Sequence, residues 1–163
     1  MELRIANFEE LTSNYKTYVD GYGEMVKKRN DFINETKASR DEFKAIVEGK
    51  KMPLIQGNET MEEARNRRIY ELGNELKSRQ EDYTHDIKKM EGDLNEKVYD
   101  ELELLMKEFA EKNNIDVITS KSDIIYNSDK YDITKDIIEV FKERDLFSDI
   151  KDMKNKLTDD IEL

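Results

Sequence analysis

Apolar side chains recur at steps of three and four residues along two long stretches of the chain, with several successive steps of four in the second stretch after Tyr83. The first stretch runs from Leu11 to Ile46, and the second runs from Ile69 to Phe109. This spacing places the apolar side chains on one face of a helix and is typical of two helices that pack along a narrow seam. The pattern predicts a helix out and a longer helix back, about 60 Å and about 80 Å long at about 1.5 Å per residue.

The segment between the two stretches, residues 49–58, has the composition of a tight turn. It contains Pro53, the only proline of the chain, between Gly49 and Gly57. A helix cannot run through proline, which lacks an amide proton, whereas glycine adopts the backbone conformations that end a helix. Residues 9–113 are therefore predicted to form an antiparallel helical hairpin, the arm, with its tip at residues 49–58.

The seam of the arm is not uniformly apolar. Arg29, Thr36 and Ser39 occupy seam positions of the first helix, and Gly21 and Gly23 lie inside it. Each glycine costs about 1 kcal/mol relative to alanine in a helix. The two glycines predict either a bend near the base of the arm or tolerated surface positions. The polar seam favours a pliable arm over an ideal coiled coil.

Polar residues at the ends of the predicted helices indicate how those ends are capped. Asn7 has a side-chain oxygen that can accept an amide proton from the first turn of the first helix. Thr60 and Glu63 have the spacing of a capping box at the start of the second helix. Asn113 and Asn114 predict its end, because asparagine tolerates the left-handed backbone found there.

Short β-branched and aromatic segments lie on either side of the arm. Residues 3–6 alternate apolar and polar and predict one strand. Residues 115–119 and 124–126 predict two more, joined as a β-hairpin by the polar residues 120–123. Three short strands bury little surface and leave open edges, so we expect the strands to pair between subunits.

Two further helices are predicted near the C-terminus. Thr134 is the expected cap of a helix that carries Ile137 and Phe141. Within residues 146–163, apolar residues at helical spacing predict a final amphipathic helix: Leu146, Ile150, Met153, Leu157 and Ile161. The predicted fold class is α+β and mostly helical, with a small β body formed by residues 1–8 and 114–145.

The composition narrows the possible functions. Charged residues make up 41% of the chain and hydrophobic ones 36%, which, together with the periodicity, is typical of long solvated helices rather than disorder. The net charge of -11 disfavours non-specific binding to nucleic acid or to anionic membranes. No run of 18 apolar residues is present, so membrane insertion is not expected.

No residue pattern predicts catalysis, a metal site or a cofactor. His85 is the only histidine, and the chain has no cysteine to complete a transition-metal site with it. We expect His85 to be an exposed, structural residue. Most acidic residues alternate with basic ones at helical spacing and predict solvated helix faces rather than acid-base pairs.

The tip and the seam aromatics supply candidate contacts with other proteins. The tip combines the flexible apolar side chains of residues 52–55 with nearby lysines and arginines, and this combination suits weak, adaptable contacts with unfolded chains. The alternative is that the apolar side chains of the tip only close the turn. The seam aromatics are expected to serve helix packing more often than binding. The full candidate set is Tyr18, Tyr22, Met25, Phe32, Phe43, Lys50, Lys51, Met52, Leu54, Ile55, Arg67 and Arg68.

The segment after the arm has a specific motif. Ile-Asp-Val-Ile at 115–118 and Ile-Ile-Tyr at 124–126 are followed by Tyr-Asp-Ile-Thr at 131–134 and by Ile-Ile at 137–138. In these residues the chain resembles the OmpH-like (Skp) family of periplasmic holdase chaperones. The rest of residues 3–144 is similar more loosely, because its arm resembles any long coiled-coil arm.

The resemblance implies a homotrimer in which strands of three chains build a shared body and three arms surround a cavity. Unfolded outer-membrane proteins would be held there without ATP and without any cofactor. The body contacts implied are Ile5, Phe8, Ile115, Val117, Ile118, Ile124, Ile125 and Tyr126. The alternative is a structural coiled-coil scaffold or spacer, including one encoded by a virus of bacteria.

Three features depart from the family pattern. Family members are commonly basic, whereas this chain is acidic, and they usually end soon after the Asp-Ile-Thr helix, whereas this chain continues to Leu163. Residues 1–25 show no basic-then-apolar signal sequence. The expected compartment is the periplasm if a signal peptide has been removed, and the cell interior otherwise.

Overall fold

A computed structural model describes the backbone of residues 1–159 and the side chains of residues 1–155. The predicted class, α+β and mostly helical, is confirmed. In chain order the elements are β1 (Leu3–Ala6), α1 (Phe8–Ser13), α2 (Lys16–Val47), α3 (Met61–Lys112), β2 (Val117–Ser120), the 3₁₀ turns Lys121–Asp123 and Asp129–Tyr131, α4 (Thr134–Glu143) and α5 (Ile150–Asp159). The predicted final helix is present as α5, while Ile161 lies outside the described residues.

The chain divides into two compact units. Lys27–Met90 forms the hairpin unit, and Met1–Val26 together with the chain from Glu91 onward forms the base unit. Helices α2 and α3 each contribute residues to both units. The division into body, arm and C-terminal helix stays a prediction about function.

In the hairpin unit, α2 and α3 pack antiparallel. Their seam includes Ile46 and Leu72, both fully buried. Thr36 is also buried, and its hydroxyl donates to the carbonyl of Phe32 at 2.7 Å and accepts from Nε of Arg40 at 3.2 Å. A buried polar group that is hydrogen-bonded carries little penalty, which explains how the seam tolerates this threonine.

The base unit contains a continuous apolar core between α1, α3 and α4. Tyr15 and Phe141 lie at its centre, with their ring centroids 5.1 Å apart. Burial raises the pKa of the Tyr15 hydroxyl, and the nearby Glu101 carboxylate raises it further. The buried members of this core are Ala6, Leu11, Tyr15, Val98, Leu102, Leu105, Met106, Ile133, Ile137 and Phe141.

Strands β1 and β2 pair in parallel, with Leu3 opposite Val117 and Ala6 opposite Ser120. The predicted β-hairpin over residues 115–126 is wrong. The Ser120 hydroxyl accepts from the amide of Ser122 at 3.3 Å and starts a 3₁₀ turn instead of a β-turn. In addition, Ile5 bridges to Asp132, so this residue, rather than residues 124–126, is the further partner of β1.

The prediction of one continuous helix from residue 9 is also wrong, because Asn14 and Tyr15 separate α1 from α2. The C-terminal segment crosses the chain at this break. The amide of Lys16 donates to the carbonyl of Leu146 at 2.7 Å, and the amide of Ser148 donates to the carbonyl of Asn14 at 3.0 Å. These bonds replace helical ones and satisfy the backbone groups that the break exposes.

Helix α2 runs uninterrupted through Gly21 and Gly23. Neither is a tolerated surface position. A Cβ atom on Gly21 would lie 2.7 Å from Cδ2 of Leu94, and one on Gly23 would lie 3.2 Å from Sδ of Met153. Both glycines therefore allow another helix to approach α2 closely.

The cap predictions are mostly confirmed. The side chain of Asn7 accepts from the amide of Glu10, Thr60 and Glu63 form the capping box, and Asn114 has a φ of 53°. Thr134, however, is not the cap of α4.

The cap position is Ile133, which makes no side-chain cap hydrogen bond, and the carboxylate of Asp132 accepts from the amide of Thr134 at 3.0 Å. The Thr134 hydroxyl is used elsewhere, because it accepts from the amide of Asn7 at 2.9 Å. The start of α4 is thereby tied to the start of α1.

Candidate functional site

The tip of the hairpin unit exposes most of its apolar side chains. Leu54 is 88% exposed, Ile55 51% and Met52 44%, and Lys50 and Lys51 are also exposed. The residues on either side of this group, Gly49 and Gly57, have φ angles of 73° and 56°. L-residues rarely adopt such angles, so the glycines set the shape of the turn.

Arginines of α3 hold the tip in shape. Arg65 donates to the carbonyls of Ile46 and Val47, which are the last carbonyls of α2. Arg67 donates to the carbonyl of Leu54 at 3.0 Å and to the carboxylate of Glu59 at 2.7 Å. The carbonyl of Leu54 and the last carbonyls of α2 are thus hydrogen-bonded within the chain.

Arg68 joins the two helices directly. Its guanidinium makes two hydrogen bonds of 2.9 Å to the two oxygens of Glu42, and these bonds hold the pKa of Glu42 below its ordinary value. Of the predicted tip contacts, Arg67 and Arg68 are therefore engaged within the chain. The side chains of the other tip members face solvent, namely Lys50, Lys51, Met52, Leu54 and Ile55, although Lys50 also pairs with Glu48 at 2.8 Å.

The predicted seam aromatics of the hairpin unit pack between the helices. Phe32 stacks on Tyr83 with ring centroids 4.4 Å apart, and a Cβ atom on Gly73 would lie 3.8 Å from the ring of Phe43. Beside the stacked pair is an open cavity of about 340 Å³, lined by Lys28, Asp31, Phe32, Glu35, Arg79, Asp82, Tyr83 and Asp86. The mixed charges of this lining favour solvent over an apolar ligand.

The remaining arm candidates, Tyr18, Tyr22 and Met25, are half-buried on α2 in the base unit. They fall at steps of four and three and therefore share one face of the helix. Tyr22 lies beneath α5, since Nζ of Lys154 is 5.7 Å from the centroid of its ring.

The predicted body residues divide into a buried and an exposed group. Ile5 is 1% exposed and belongs to the core of its own chain, and Ile115, Ile118 and Ile124 are half-buried. The exposed members are Phe8, Val117, Ile125 and Tyr126, of which Ile125 is fully exposed and Tyr126 is 85% exposed. Exposure of two such adjacent side chains on one loop is unusual for a surface that faces only water.

An apolar groove of about 560 Å³ lies next to these residues in the base unit. It is lined by Phe8, Thr12, Asn95, Val98, Tyr99, Leu102, Glu103, Met106 and Ile118. The sequence interpretation missed Tyr99 and Met106, which lie off the seam of α3. Their spacing from Asn95 and Leu102 in steps of four was the available signal.

Charge is unevenly divided between the two units. Lys27–Met90 contains 15 Lys and Arg against 13 Asp and Glu, whereas the rest of the chain contains 13 against 26. The hairpin unit thus has a net charge of +2 and the remainder of the chain -13. The acidity of the protein is confined to its base unit.

Within the described residues, no group of three or more His, Asp or Glu residues has the proximity needed to hold a metal ion, and His85 is exposed. No helix within the described chain is both long and apolar enough to cross a membrane.

Comparison with known families agrees with the fold. The family model described as outer membrane protein (OmpH-like) matches residues 4–141, which is most of the chain. The protein belongs to the OmpH-like family. Comparison with individual curated proteins gave no significant match.

The OmpH-like family as a whole is a periplasmic, chaperone-type family that binds unfolded outer-membrane proteins, and it is not a family of enzymes. The resemblance carried by residues 115–138 is confirmed. The match ends at Phe141, so the bridge to the break before α2 and the whole of α5 lie beyond it.

Proposed function

We propose that this OmpH-like protein is an ATP-independent holdase that acts in the periplasm. It encloses unfolded proteins of the outer-membrane type between the helical hairpins of a homotrimer. The observation that carries the proposal is the tip, where Met52, Leu54 and Ile55 are exposed while the neighbouring guanidinium groups of Arg65 and Arg67 are bonded within the chain. Such a surface offers apolar contacts to a partner at little desolvation cost.

Weak contacts become effective when several hairpins act together. A single exposed leucine or isoleucine contributes at most about 1.5–3 kcal/mol when buried, which corresponds to weak binding. Three linked copies raise the effective concentration of each contact, so affinity grows without high specificity. Affinity that is summed from several weak contacts suits a chaperone that binds many unfolded sequences.

The trimer proposal is supported by the base unit. It has two exposed apolar surfaces: the loop that carries Ile125 and Tyr126, and the groove at Phe8 and Ile118. A second copy that inserts this loop into the groove would cover both surfaces. It would also protect the outer edge of β2, which otherwise invites unspecific pairing.

The first experiment measures the mass in solution by light scattering. We expect the mass of three chains for the parent protein and a lower mass for the double variant Ile125→Ser, Tyr126→Ser. Leu104→Ser is the matched control, because Leu104 is 60% exposed in the base unit but lies outside the groove. A monomeric parent protein would refute the shared body.

The second experiment measures aggregation of a urea-unfolded outer-membrane β-barrel protein after dilution, in the absence of ATP. The parent protein and Leu104→Ser should suppress aggregation equally, and the tip variant Leu54→Ser, Ile55→Ser should require several-fold more protein. If the parent trimer gives no protection at any stoichiometry, the protein is a structural scaffold instead.

A further inference from the structure

The C-terminal segment lies beyond the family match but is built into the base unit. Asp145, with a φ of 55°, reverses the chain after α4, and the amide of Leu146 donates back to the carbonyl of Phe141 at 2.7 Å. Leu146 and Phe147 then pack against the apolar core. These contacts, together with the two backbone bonds to Asn14 and Lys16, fix Leu146 and Phe147 to the base unit. We call these two residues the anchor.

Helix α5 follows this anchor and rests on α2. Its Met153 lies against Gly23, where the missing Cβ leaves room for the sulfur, and its Lys154 lies over the ring of Tyr22. Lys151, Asp152, Lys154 and Asn155 are exposed, and Ile150 and Met153 are half-buried. The described part of α5 therefore touches α2 along a narrow strip.

The stability of α5 depends on this strip. The described part of α5, Ile150–Asp159, is short, and isolated helices shorter than roughly 12–15 residues are at best marginally stable in water. Elements with few buried contacts open with low free energy compared with the rest of the protein. Opening of α5 would leave the anchor at Leu146 and Phe147 in place.

The strip beneath α5 includes part of the predicted client-binding face. Helix α5 covers the face of α2 at Tyr22 and Gly23, whereas Tyr18 packs against the apolar core. We propose that α5 is a displaceable cover of this face, and that an unfolded client takes its place. The proposal rests on the holdase function and assigns α5 a role in controlling it.

The contacts of α5 indicate which client segments would compete. Met153 supplies a flexible apolar side chain, and Lys154 supplies a cation above an aromatic ring. Asp20 and Glu24 are exposed on α2 next to these contacts, and the base unit is strongly acidic. A client segment that places an aliphatic residue beside a lysine or arginine reproduces this chemistry.

A truncation tests the cover. Removal of residues 150–163 leaves the anchor intact, and we measure its affinity for the urea-unfolded β-barrel protein by fluorescence titration. If α5 is closed about 90% of the time, the parent binds this face about tenfold more weakly than the truncated protein. Equal or weaker binding by the truncated protein would overturn the proposal while leaving the holdase function in place.

A substitution pair tests the cover without any client. Gly23→Leu fills the space that Met153 occupies, whereas the control Gly92→Leu adds the same side chain to a helix where nothing lies within 4 Å. Hydrogen exchange of residues 150–159 should become faster in Gly23→Leu alone. Unchanged exchange in Gly23→Leu would refute the docking of α5.

The binding titration and the hydrogen-exchange comparison together distinguish a failure of the holdase function from a failure of the proposal about α5. If neither the parent nor the truncated protein binds the unfolded β-barrel protein, the holdase function fails. The exchange comparison then decides by itself whether α5 is a displaceable element. If addition of the unfolded β-barrel protein makes hydrogen exchange of α5 faster in the parent protein, client binding and the opening of α5 are coupled.

Discussion

At the scale of single residues, two glycines and one aspartate determine how neighbouring elements of the base unit contact one another. Gly21 faces Leu94 of α3 and Gly23 faces Met153 of α5, so the absence of two Cβ atoms brings three helices together. Glycine lowers helix propensity, and here that loss is offset by close packing. Asp132 in turn links β1, the turn before α4 and Lys121.

The substitution Gly21→Ala should destabilise the protein. Its Cβ would overlap with Leu94, and overpacking typically costs about 1–3 kcal/mol, which outweighs the gain of about 1 kcal/mol in helix propensity. Urea unfolding followed by circular dichroism measures the change. Gly92→Ala is the control and should be stabilising, since its site is open. Equal stability of the two variants would contradict the packing role of Gly21.

Because of the Asp132 carboxyl, we expect the folded protein to lose stability in acid. Burial alone would raise the pKa of this carboxyl, but hydrogen bonds from the hydroxyl and amide of Thr134, together with Lys121, hold it below its ordinary value. A carboxyl whose folded-state pKa is lowered stabilises the protein above the unfolded-state pKa of about 3.9. This contribution disappears as the pH falls from there through the lower folded-state pKa.

The variant Asp132→Asn should be less stable at neutral pH by about 1–2 kcal/mol, because it loses charge-assisted hydrogen bonds. It should also lose less stability than the parent when the pH falls below about 4. Urea unfolding at a series of pH values measures both effects, with Asp129→Asn as the exposed control. A parallel pH dependence of parent and Asp132→Asn would exclude this role.

At the scale of elements, the hairpin unit depends on the ends of its helices as much as on its seam. The capping box at Thr60 and Glu63 starts α3, and Arg65 binds the last carbonyls of α2. Helix ends leave backbone groups without partners, and here side chains of α3 serve both ends. The tip can therefore expose apolar side chains without losing its backbone structure.

The variant Thr60→Ala should loosen the first turn of α3. Loss of an N-cap hydroxyl typically costs about 1 kcal/mol, and hydrogen exchange of residues 61–64 should become faster while exchange in the base unit stays the same. Glu63→Gln is the matched control, because glutamine also completes a capping box. Equal exchange in Thr60→Ala and the parent would show that the tip does not depend on this cap.

At the scale of the whole molecule, the division of charge sets the conditions for assembly. The base unit carries a net charge of -13, whereas the hairpin unit carries +2, and the proposed trimer brings three base units together. Like charges repel, and the free energy of this repulsion opposes association. The apolar groove and the exposed loop would have to outweigh it.

Self-association should therefore become stronger as salt is added. Between about 0.05 M and about 0.3 M salt the Debye length falls from about 14 Å to about 6 Å, which screens the repulsion between acidic surfaces. Analytical ultracentrifugation at both salt concentrations measures the association constant. Weaker association at the higher concentration would mean that ion pairs, rather than apolar contacts, hold the subunits together.

The sequence alone determined the features that depend on neighbouring residues. The heptad pattern, Pro53 with its flanking glycines, the cap at Asn7 and the capping box at Thr60 each act within a few positions of the chain, so their physical signal is local. The motif in residues 115–138 also identified the family. The same local pattern placed Met52, Leu54 and Ile55 in the tip but left open whether they face solvent or close the turn.

Only the tertiary structure decided how distant segments meet. Four features each join residues far apart in sequence: the parallel pairing of β1 with β2, the backbone bonds at the break between α1 and α2, the bridge between Ile5 and Asp132, and the close approach at Gly21 and Gly23. A local pattern specifies that a backbone group needs a partner but not which segment supplies it. That choice depends on the packing of the whole core, and here it places the C-terminal helix on α2.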